Sequence, residues 1–294
     1  VDINPDRIGL TKKVTVGIIG DARKVTKSLL LHLSETAGEE GRSERKSLIS
    51  QTKSRWAQQL SSMDHEDDDP GTTWNERARK KKPNWMSPRM AWRAVQSALP
   101  RDAIISSDIG NNCAIGNAYP TFEECRKYLA PGLFGPCGYG LPSIVGAKIG
   151  CPDTPVVGFA GDGAFGIAIT ELTAIGRREW PAVTMVVFRN FQWGAEKRNS
   201  TLWYDDNFVG TELDEGVSYA GIAQACGLKG IIARTMHELR DALNSAINDQ
   251  MSNGKTTLIE AMVNQELGEP FRRDAMKKPV EVAGISAKDM VPQT

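Results

Sequence analysis

A short glycine-acid turn, Gly161-Asp162-Gly163-Ala164, contains the residues of this sequence that are best suited to chemistry. It follows the apolar run Val156–Ala160 and precedes apolar residues at helical spacing, so we expect it to connect a strand to a helix. Its glycines let the backbone approach a ligand, and the unpaired N–H groups that begin a helix favour a phosphate. A carboxylate beside a phosphate is repelled unless a cation lies between them. Asp162 therefore predicts a divalent metal, and Mg²⁺ fits best because it favours few carboxylates, neutral oxygens and ligand phosphates.

A second polar turn follows the next apolar run, Val183–Phe188, and contains Asn190 and Gln192. Ligands of open α/β sheets bind beyond the carboxyl ends of neighbouring strands. The Asn190 amide oxygen and the Gln192 main-chain carbonyl are therefore predicted to bind the ion held by Asp162. Asn190 follows Asp162 by 28 residues (190 − 162). Taken alone, the glycine-acid turn is equally well explained by an ordinary turn in which Asp162 caps the helix.

The elements that must position these residues alternate between helix and strand from Pro83 to about Met262. Uniformly apolar strands separated by helices predict an α/β domain with a doubly wound parallel sheet, covered on both faces. The predicted strands are 103–106, 156–160, 183–188, 231–233 and 258–262. The predicted helices are 87–99, 141–149, 164–176, 217–226 and 237–251.

Composition shifts divide the chain into four predicted parts. Residues 1–31, with a predicted strand at Val14–Ile19, are expected to be the C-terminal end of a preceding domain, and residues 32–83 a charged inter-domain linker. Residues 84–275 form the α/β domain, and residues 276–294 a polar tail. Within the linker, the basic run at 77–82 is interpreted as a solvated face rather than a nucleic-acid patch, because an acidic run lies close by.

Charge and cysteine content exclude several classes of protein. Lys plus Arg and Asp plus Glu each number 36, so the formal net charge is zero and neither nucleic acid nor a membrane is an expected partner. No apolar run approaches the roughly 18 residues of a membrane span. Five cysteines without a CxxC pair favour a reduced, cytoplasmic setting over a disulfide framework or a zinc site. The chain begins at Val1 without a signal sequence, and we expect it to be part of a longer polypeptide.

The glycine-acid turn followed by a strand that ends in Asn resembles the signature that binds thiamine diphosphate (ThDP). The segments SSDIGNN (106–112) and LFGPCGYGLPSIVGAKIG (133–150) resemble the diphosphate-binding domain of acetolactate synthase-type enzymes. The opening VDINPDRIG resembles the end of their central domain. Within that superfamily, FEECRKYLAPGLFGPCGYG and RNFQWGAEKRNSTLWYDDNFVGTEL resemble the sulfoacetaldehyde acetyltransferases. Residues 1–31 would then be the end of the central domain, and 84–275 the domain that binds ThDP diphosphate and Mg²⁺.

The resemblance implies a role for each residue that matches the family pattern. Residues implied to bind Mg²⁺ are Asp162, Asn190 and Gln192, the last through its carbonyl. Residues implied to bind the diphosphate are Gly161, Gly163 and Ala164 through the backbone, and Asn111 and Asn112 through their side chains. The Gly135 carbonyl would accept a hydrogen bond from the cofactor's 4′-amino group. Cys137 stands where the family has a bulky apolar residue that bends the cofactor.

Two of these positions have a simpler interpretation. Cys137 is also explained by core packing, and Asn112 by an Asx-turn. One family feature has no counterpart in this sequence. The family activates ThDP with a Glu from an N-terminal domain across a dimer interface, so the catalytic Glu is expected outside this chain and the isolated chain is expected to be inactive.

The implied function is a cytoplasmic ThDP- and Mg²⁺-dependent acyltransferase of taurine catabolism that converts sulfoacetaldehyde and phosphate to acetyl phosphate and sulfite. The implied assembly is a homodimer or homotetramer. Both substrates are anions, so Arg or Lys is expected near them. Arg189, Lys197 and Arg198 are candidates by location, and the alternative is surface charge beside Asp205 and Asp206.

Two other functions stay open at this point. A ThDP-dependent 2-oxo acid carboligase or decarboxylase would use the same cofactor and would not need phosphate. A non-catalytic scaffold with a vestigial cofactor site would show no Mg²⁺-dependent stabilisation by ThDP.

Overall fold

The computed structural model describes residues 1–10, 13–36, 40–62, 84–132, 134–177, 179–204 and 206–267. The chain divides into two compact units, with a boundary between Gln59 and Leu60. The predicted tail at 276–294, the basic run at 77–82 and the rest of 63–83 lie outside the described residues. The extents of the four predicted parts therefore stay predictions.

The regular secondary structure described in the first unit is helical. A 3₁₀ turn spans Pro5–Arg7, helix α1 spans Ala22–Thr36, and helix α2, Glu40–Ser62, begins in this unit. The prediction of a strand at Val14–Ile19 is wrong, because among the described residues this run forms only an isolated bridge from Ile19 to Asp2. An extended run becomes a strand only when a neighbour pairs with its backbone N–H and C=O groups.

A parallel sheet forms the centre of the second unit. Its strands are β1 (Ile104–Ser107), β2 (Tyr128–Leu129), β3 (Val156–Gly161), β4 (Thr184–Arg189), β5 (Lys229–Ala233) and β6 (Thr257–Met262). These six described strands lie in the order β2-β1-β3-β4-β6-β5, and every neighbouring pair is parallel. The predicted doubly wound α/β fold is confirmed, and β2 is an addition to the predicted strands.

Helices connect the strands and pack against the sheet. They are α3 (Pro88–Ala98), α4 (Asn111–Gly116), α5 (Gly140–Gly150), α6 (Asp162–Ile167), α7 (Glu171–Ile175), α8 (Gly194–Trp203), α9 (Tyr219–Ala225) and α10 (Met236–Asn253). The sequence signals that delimit helices are visible at α10, where the Thr235 side chain accepts from the Glu238 N–H and Gly254 ends the helix in the left-handed conformation. No helix in the described part of the chain has the length and hydropathy needed to cross a bilayer.

The two faces of the sheet bury separate apolar clusters. Alternate residues of β3 point to opposite faces, so Val157 and Phe159 pack with α3 and α10 whereas Val156 and Ala160 pack with α5 and α9. The same alternation holds along β4. Because both faces are covered, the central strands are apolar throughout their length and the polar chemistry is confined to their ends.

The predicted helix at 164–176 is wrong as a single element, because it is divided into α6 and α7. The Ala168 N–H donates to the Phe165 carbonyl at 3.0 Å, which is a tight i→i−3 bond that ends α6. A loop packs against this point: a Cβ atom on Gly138 would lie 3.4 Å from the side chains of Ile167 and Ala168. The break therefore makes room for the loop that contains Cys137.

Trp92 of α3 connects the core to the carboxyl ends of the strands. Trp92 is 1% exposed, and its ring centroid lies 4.7 Å from that of Phe159 and 5.0 Å from that of Phe188. Its indole N–H donates to the Asn112 carbonyl at 2.8 Å. This one side chain therefore packs against β3 and β4 and also anchors α4.

We predict that Trp92→Ala lowers the free energy of unfolding by about 3–5 kcal/mol, because it leaves a cavity and an unpaired Asn112 carbonyl. Equilibrium urea denaturation measures this loss. Trp180→Ala is the matched control, since Trp180 is 45% exposed and its truncation should change stability by less than about 0.5 kcal/mol. Equal losses for the two variants would contradict the anchoring role of Trp92.

Candidate functional site

One cleft lies beyond the carboxyl ends of β1, β3 and β4. It is lined by all ten residues that the sequence predicts for the site, namely Asn111, Asn112, Gly135, Cys137, Gly161, Asp162, Gly163, Ala164, Asn190 and Gln192. Further lining residues that the sequence did not suggest are Ile109, Gly110, Trp193, Gly194, Ala195 and Glu196. Residues separated by up to 81 positions (192 − 111) thus meet at one edge of the sheet.

Asp162 is the polar centre of this cleft. Strand pairing sets Gly161 opposite Phe188, so the Asp162 carboxylate lies beside the turn that follows β4. Its Oδ2 atom accepts hydrogen bonds from the backbone N–H of Asn190 at 3.0 Å and of Phe191 at 2.6 Å. Phe191 adopts φ of 60°, a left-handed conformation that is uncommon outside glycine. The turn therefore wraps its N–H groups around the carboxylate at a cost in backbone strain.

Arg189 is the third hydrogen-bond donor to Asp162 Oδ2 and the positively charged one. Its Nη1 donates to Asp162 Oδ2 at 3.0 Å, and its Nε lies 3.4 Å from Oε1 of the buried Glu260. Its Nη2 donates to the carbonyls of Asp214 at 2.6 Å and Val217 at 3.0 Å. The guanidinium thus lies between two buried carboxylates and behind the cleft wall.

The sequence-based expectations for Arg189 and Lys197 need correction. Both side chains are 1% exposed or less, so the interpretation as surface charge is wrong. Neither lines the cleft. Lys197 forms an ion pair with Glu212, and its Nζ lies 5.5 Å from the Phe208 ring centroid. Arg198 is half-buried and contacts Asn111.

Burial and these donors act in opposite directions on Asp162. Desolvation raises the pKa of its carboxyl, and Arg189 and the N–H groups of Phe191 and Gly163 lower it, with a net pKa of about 6. The carboxyl is therefore mainly ionised at neutral pH. With Oδ2 surrounded by three donors, Oδ1 is the oxygen through which Asp162 can bind a further cation.

The Asn190 amide and the Gln192 carbonyl face Oδ1. In one orientation the Asn190 amide nitrogen donates to Asp162 Oδ1 and to the Gln192 carbonyl, both at 3.2 Å. In the other orientation the amide oxygen occupies that place, 3.2 Å from Asp162 Oδ1 and 3.2 Å from the Gln192 carbonyl oxygen. An octahedron with metal–oxygen bonds of about 2.1 Å has edges of about 3.0 Å, so the two separations from the Asn190 amide oxygen are close to those around Mg²⁺. The residues present therefore fit the predicted metal.

The backbone at the start of α6 differs in one respect from the prediction. The Gly163 N–H donates to Asp162 Oδ1 at 3.0 Å, so this donor is already engaged. Ala164 lies in the first turn of α6, where N–H groups have no intrahelical partner. Gly163 is required for another reason: a Cβ atom there would lie 2.7 Å from the Trp193 ring.

Asn111 and Asn112 bring buried polar atoms to the opposite wall. Both are 4% exposed at the start of α4, which follows Gly110 with φ of 130°. Asn111 Nδ2 and Asn112 Oδ1 lack a hydrogen-bond partner among the described residues. An Asx-turn at Asn112 would use that Oδ1 as an acceptor, so this alternative is wrong. Buried unpaired polar atoms are costly, and this cost would be removed by a ligand acceptor beside Asn111 Nδ2 and a ligand donor beside Asn112 Oδ1.

Asp108 organises the loop that contains Gly135 and Cys137, a role that was not predicted from the sequence. Its Oδ1 accepts from the Gly138 N–H at 3.1 Å and its Oδ2 from the Gly140 N–H at 2.7 Å. Gly135 itself has φ of 60°. Asp108 follows β1 as Asp162 follows β3, and this repeated position is the signal that could have identified it. Burial raises the pKa of the Cys137 thiol, with Asp108 acting in the same direction, so the thiol stays neutral in the cleft wall.

The fold and the cleft define an α/β protein that binds a ligand beyond the carboxyl ends of its parallel strands. Residues 108–261 match the family described as "Thiamine pyrophosphate enzyme, C-terminal TPP binding domain", thiamine pyrophosphate being ThDP. The chain belongs to this family, and its second unit has the ThDP-binding fold.

Similar proteins agree with this assignment. The chain is 79% identical over 290 residues to "Sulfoacetaldehyde acetyltransferase" of Roseovarius nubinhibens, covering 99% of this chain and 48% of that protein. It is 74% identical over 293 residues to the protein of the same name from Rhodobacter capsulatus, covering 100% and 50%. A solved structure, the Rhodococcus jostii RHA1 thiamine diphosphate-dependent 4-hydroxybenzoylformate decarboxylase, is 25% identical with a TM-score of 0.55, covering 62% of this chain and 33% of that chain. The chain spans about half the length of the curated relatives it matches.

We predict that Gly163→Ala weakens ThDP binding at least about tenfold, because the new methyl group displaces the Trp193 ring or the turn beside Asp162. Isothermal titration calorimetry with ThDP and Mg²⁺ measures the change. Gly146→Ala in the exposed part of α5 is the control: nothing lies within 4 Å of its Cβ atom, and binding should be unaltered. Undiminished binding by Gly163→Ala would show that close approach at this glycine is not required.

Proposed function

We propose that the polypeptide containing this chain is a ThDP- and Mg²⁺-dependent acyltransferase that converts sulfoacetaldehyde and phosphate to acetyl phosphate and sulfite. The observation that carries the proposal is identity of 79% and 74% to two proteins named sulfoacetaldehyde acetyltransferase, over essentially all of this chain. The geometry of the cleft supports the cofactor assignment, and the proposal gives this chain the half of the site that holds the metal and the diphosphate.

The metal-binding role falls to three oxygens. Asp162 would bind Mg²⁺ through Oδ1 alone, because Oδ2 is held by Arg189 and two backbone N–H groups. Asn190 would bind through its amide oxygen and Gln192 through its carbonyl. Mg²⁺ commonly completes its octahedron with ligand phosphates and water, which suits a set of few protein oxygens.

The diphosphate-binding role falls to donors on both walls of the cleft. The Ala164 N–H, in the first turn of α6, and the Asn111 Nδ2, which has no partner among the described residues, would donate to the phosphates. Gly161 exposes its backbone to the cleft, and Asn112 adds a second amide. The Gly163 N–H acts indirectly, by holding Asp162 Oδ1 at 3.0 Å.

When bound, ThDP supplies the nucleophilic carbon that attacks the carbonyl of an aldehyde or 2-oxo acid. The residues of this chain would orient it. The Gly135 carbonyl would accept from its amino group, and the neutral Cys137 thiol would pack against it as a small apolar residue. The activating carboxylate is proposed to come from a Glu outside this chain.

We further propose a homodimer or homotetramer in the cytoplasm that serves taurine catabolism and has no nucleic-acid or membrane partner. These statements follow from the resemblance to the family and from the balanced charge of the chain. The proposed substrates are small anions.

A decarboxylase or carboligase acting on 2-oxo acids is the second candidate. The likeness to a ThDP-dependent 4-hydroxybenzoylformate decarboxylase favours it, although at 25% identity over 62% of the chain. The two candidates differ in their second substrate, because acetyl transfer to phosphate requires phosphate and decarboxylation does not.

We predict that the intact polypeptide containing this chain, given ThDP and Mg²⁺, releases sulfite from sulfoacetaldehyde only when phosphate is present. A colorimetric sulfite assay with and without phosphate measures this, with acetyl phosphate determined in the same samples. Absence of sulfite in both conditions, with ThDP still bound, would refute the acetyltransferase proposal and favour a 2-oxo acid substrate.

We predict that ThDP with Mg²⁺ raises the melting temperature of the wild-type protein and that Asp162→Ala abolishes the shift. A ligand at 100 times its dissociation constant stabilises a protein by about 2.7 kcal/mol, which thermal denaturation readily detects. Asp153→Ala on the exposed loop before β3 is the control and should retain the shift. A scaffold with a vestigial site would give no Mg²⁺-dependent shift in the wild type.

A further inference from the structure

Arg198 joins three elements that meet at one wall of the cleft. Its Nη1 donates to Asn111 Oδ1 on α4 at 3.1 Å and to the Leu267 carbonyl beyond β6 at 2.9 Å. These two bonds use both hydrogens of Nη1. The guanidinium is therefore fixed by the backbone of one element while it contacts a side chain of another.

The approach of α8 to α4 depends on Gly194, one helical turn before Arg198. A Cβ atom at Gly194 would lie 3.2 Å from the Asn111 Cβ and 3.7 Å from Leu267 Cδ2. Residues four positions apart lie on the same face of a helix. Gly194 thus brings α8 against both neighbours, and Arg198 extends from that same face to the Asn111 amide.

The chemistry of Arg198 determines which end of the Asn111 amide faces the cleft. A guanidinium carries only donors, so the amide atom in contact with it must be the oxygen. The amide nitrogen is then directed away from Arg198. This nitrogen is buried and has no partner among the described residues, and Asn111 lines the cleft.

We propose that Arg198 is a positioning residue that holds the Asn111 amide with its nitrogen towards the diphosphate of ThDP. The inference rests on the proposed function, since it requires a diphosphate in the cleft. The oxygen and nitrogen of an amide are nearly isosteric, and a half-turn of the Asn111 side chain would present its oxygen to the diphosphate. That orientation replaces a charge-assisted hydrogen bond by repulsion between an oxygen dipole and an anion. Arg198 stabilises the donor orientation before the ligand arrives.

A double-mutant cycle tests this role in the polypeptide that contains the chain, with ThDP and saturating Mg²⁺ as the probe in titration calorimetry. Arg198→Met and Asn111→Ala should each raise the dissociation constant of ThDP about tenfold. Because Arg198 acts through Asn111, the double variant should bind within about twofold of Asn111→Ala alone. A residue that contacted the diphosphate directly, or that merely stabilised the fold, would give additive losses.

Two further variants keep the result interpretable. Arg101→Met removes an arginine whose side chain is 66% exposed and should leave the dissociation constant unchanged. If Arg198→Met does not fold, Arg198→Lys enters the same cycle, and its loss should also vanish in the Asn111→Ala background. Melting temperatures of the ligand-free variants verify folding.

The outcomes separate this inference from the proposed function. If the wild type binds no ThDP, both fail. If the wild type binds ThDP and Arg198→Met binds it within twofold of wild type, or if the losses are additive, only the positioning role is overturned.

Discussion

The cleft depends on one buried ionised carboxylate, Asp162, placed where β3 ends. Three donors hold its Oδ2 atom: the Arg189 guanidinium and the N–H groups of Asn190 and Phe191. These bonds connect the turn after β3 to the turn after β4, and they determine where Asn190 and Gln192 lie. They also leave Oδ1 as the oxygen that faces the other candidate metal ligands. A site of neutral oxygens around a single carboxylate follows from this one set of hydrogen bonds.

Burial of that charge is compensated by the structure behind it. Arg189 lies between Asp162 and Glu260. Its guanidinium carbon lies 4.1 Å from the ring centroid of Phe191 and 4.8 Å from that of Tyr219. The Tyr219 hydroxyl donates to the Asp162 carbonyl at 2.9 Å. A buried ion pair of this kind contributes little net stability compared with an apolar replacement. Here the Arg189 Nε has no hydrogen-bond partner among the described residues, although it lies 3.4 Å from Glu260 Oε1. The network therefore serves the orientation of the cleft more than the stability of the fold.

Local patterns in the sequence predicted the fold and six of the lining residues, which lie in the Gly161–Ala164 turn and at Asn190 and Gln192. The other four, Asn111, Asn112, Gly135 and Cys137, were implied by the resemblance to the ThDP enzymes. Apolar runs define the strands, and parallel strands bring their carboxyl ends together, so the sequence alone places Asp162 and Asn190 side by side. The roles of Arg189, Asp108 and Arg198 could not be predicted in this way. Each depends on long-range partners, such as Glu260 for Arg189 and Gly140 for Asp108, and a charged residue after a strand is compatible with either exposure or burial. The prediction of a strand at Val14–Ile19 was wrong for a related reason, since a β-branched run does not supply a pairing partner.

The most direct test of the central claim is a crystal structure of the protein with ThDP and Mn²⁺ in place of Mg²⁺, using anomalous scattering to locate the metal. The account predicts one metal peak at about 2.0–2.3 Å from Asp162 Oδ1, the Asn190 amide oxygen and the Gln192 carbonyl. It also predicts that Asp162 Oδ2 keeps its bonds to Arg189, Asn190 and Phe191. A metal bound elsewhere, or one bound through Oδ2 after Arg189 has moved away, would contradict it.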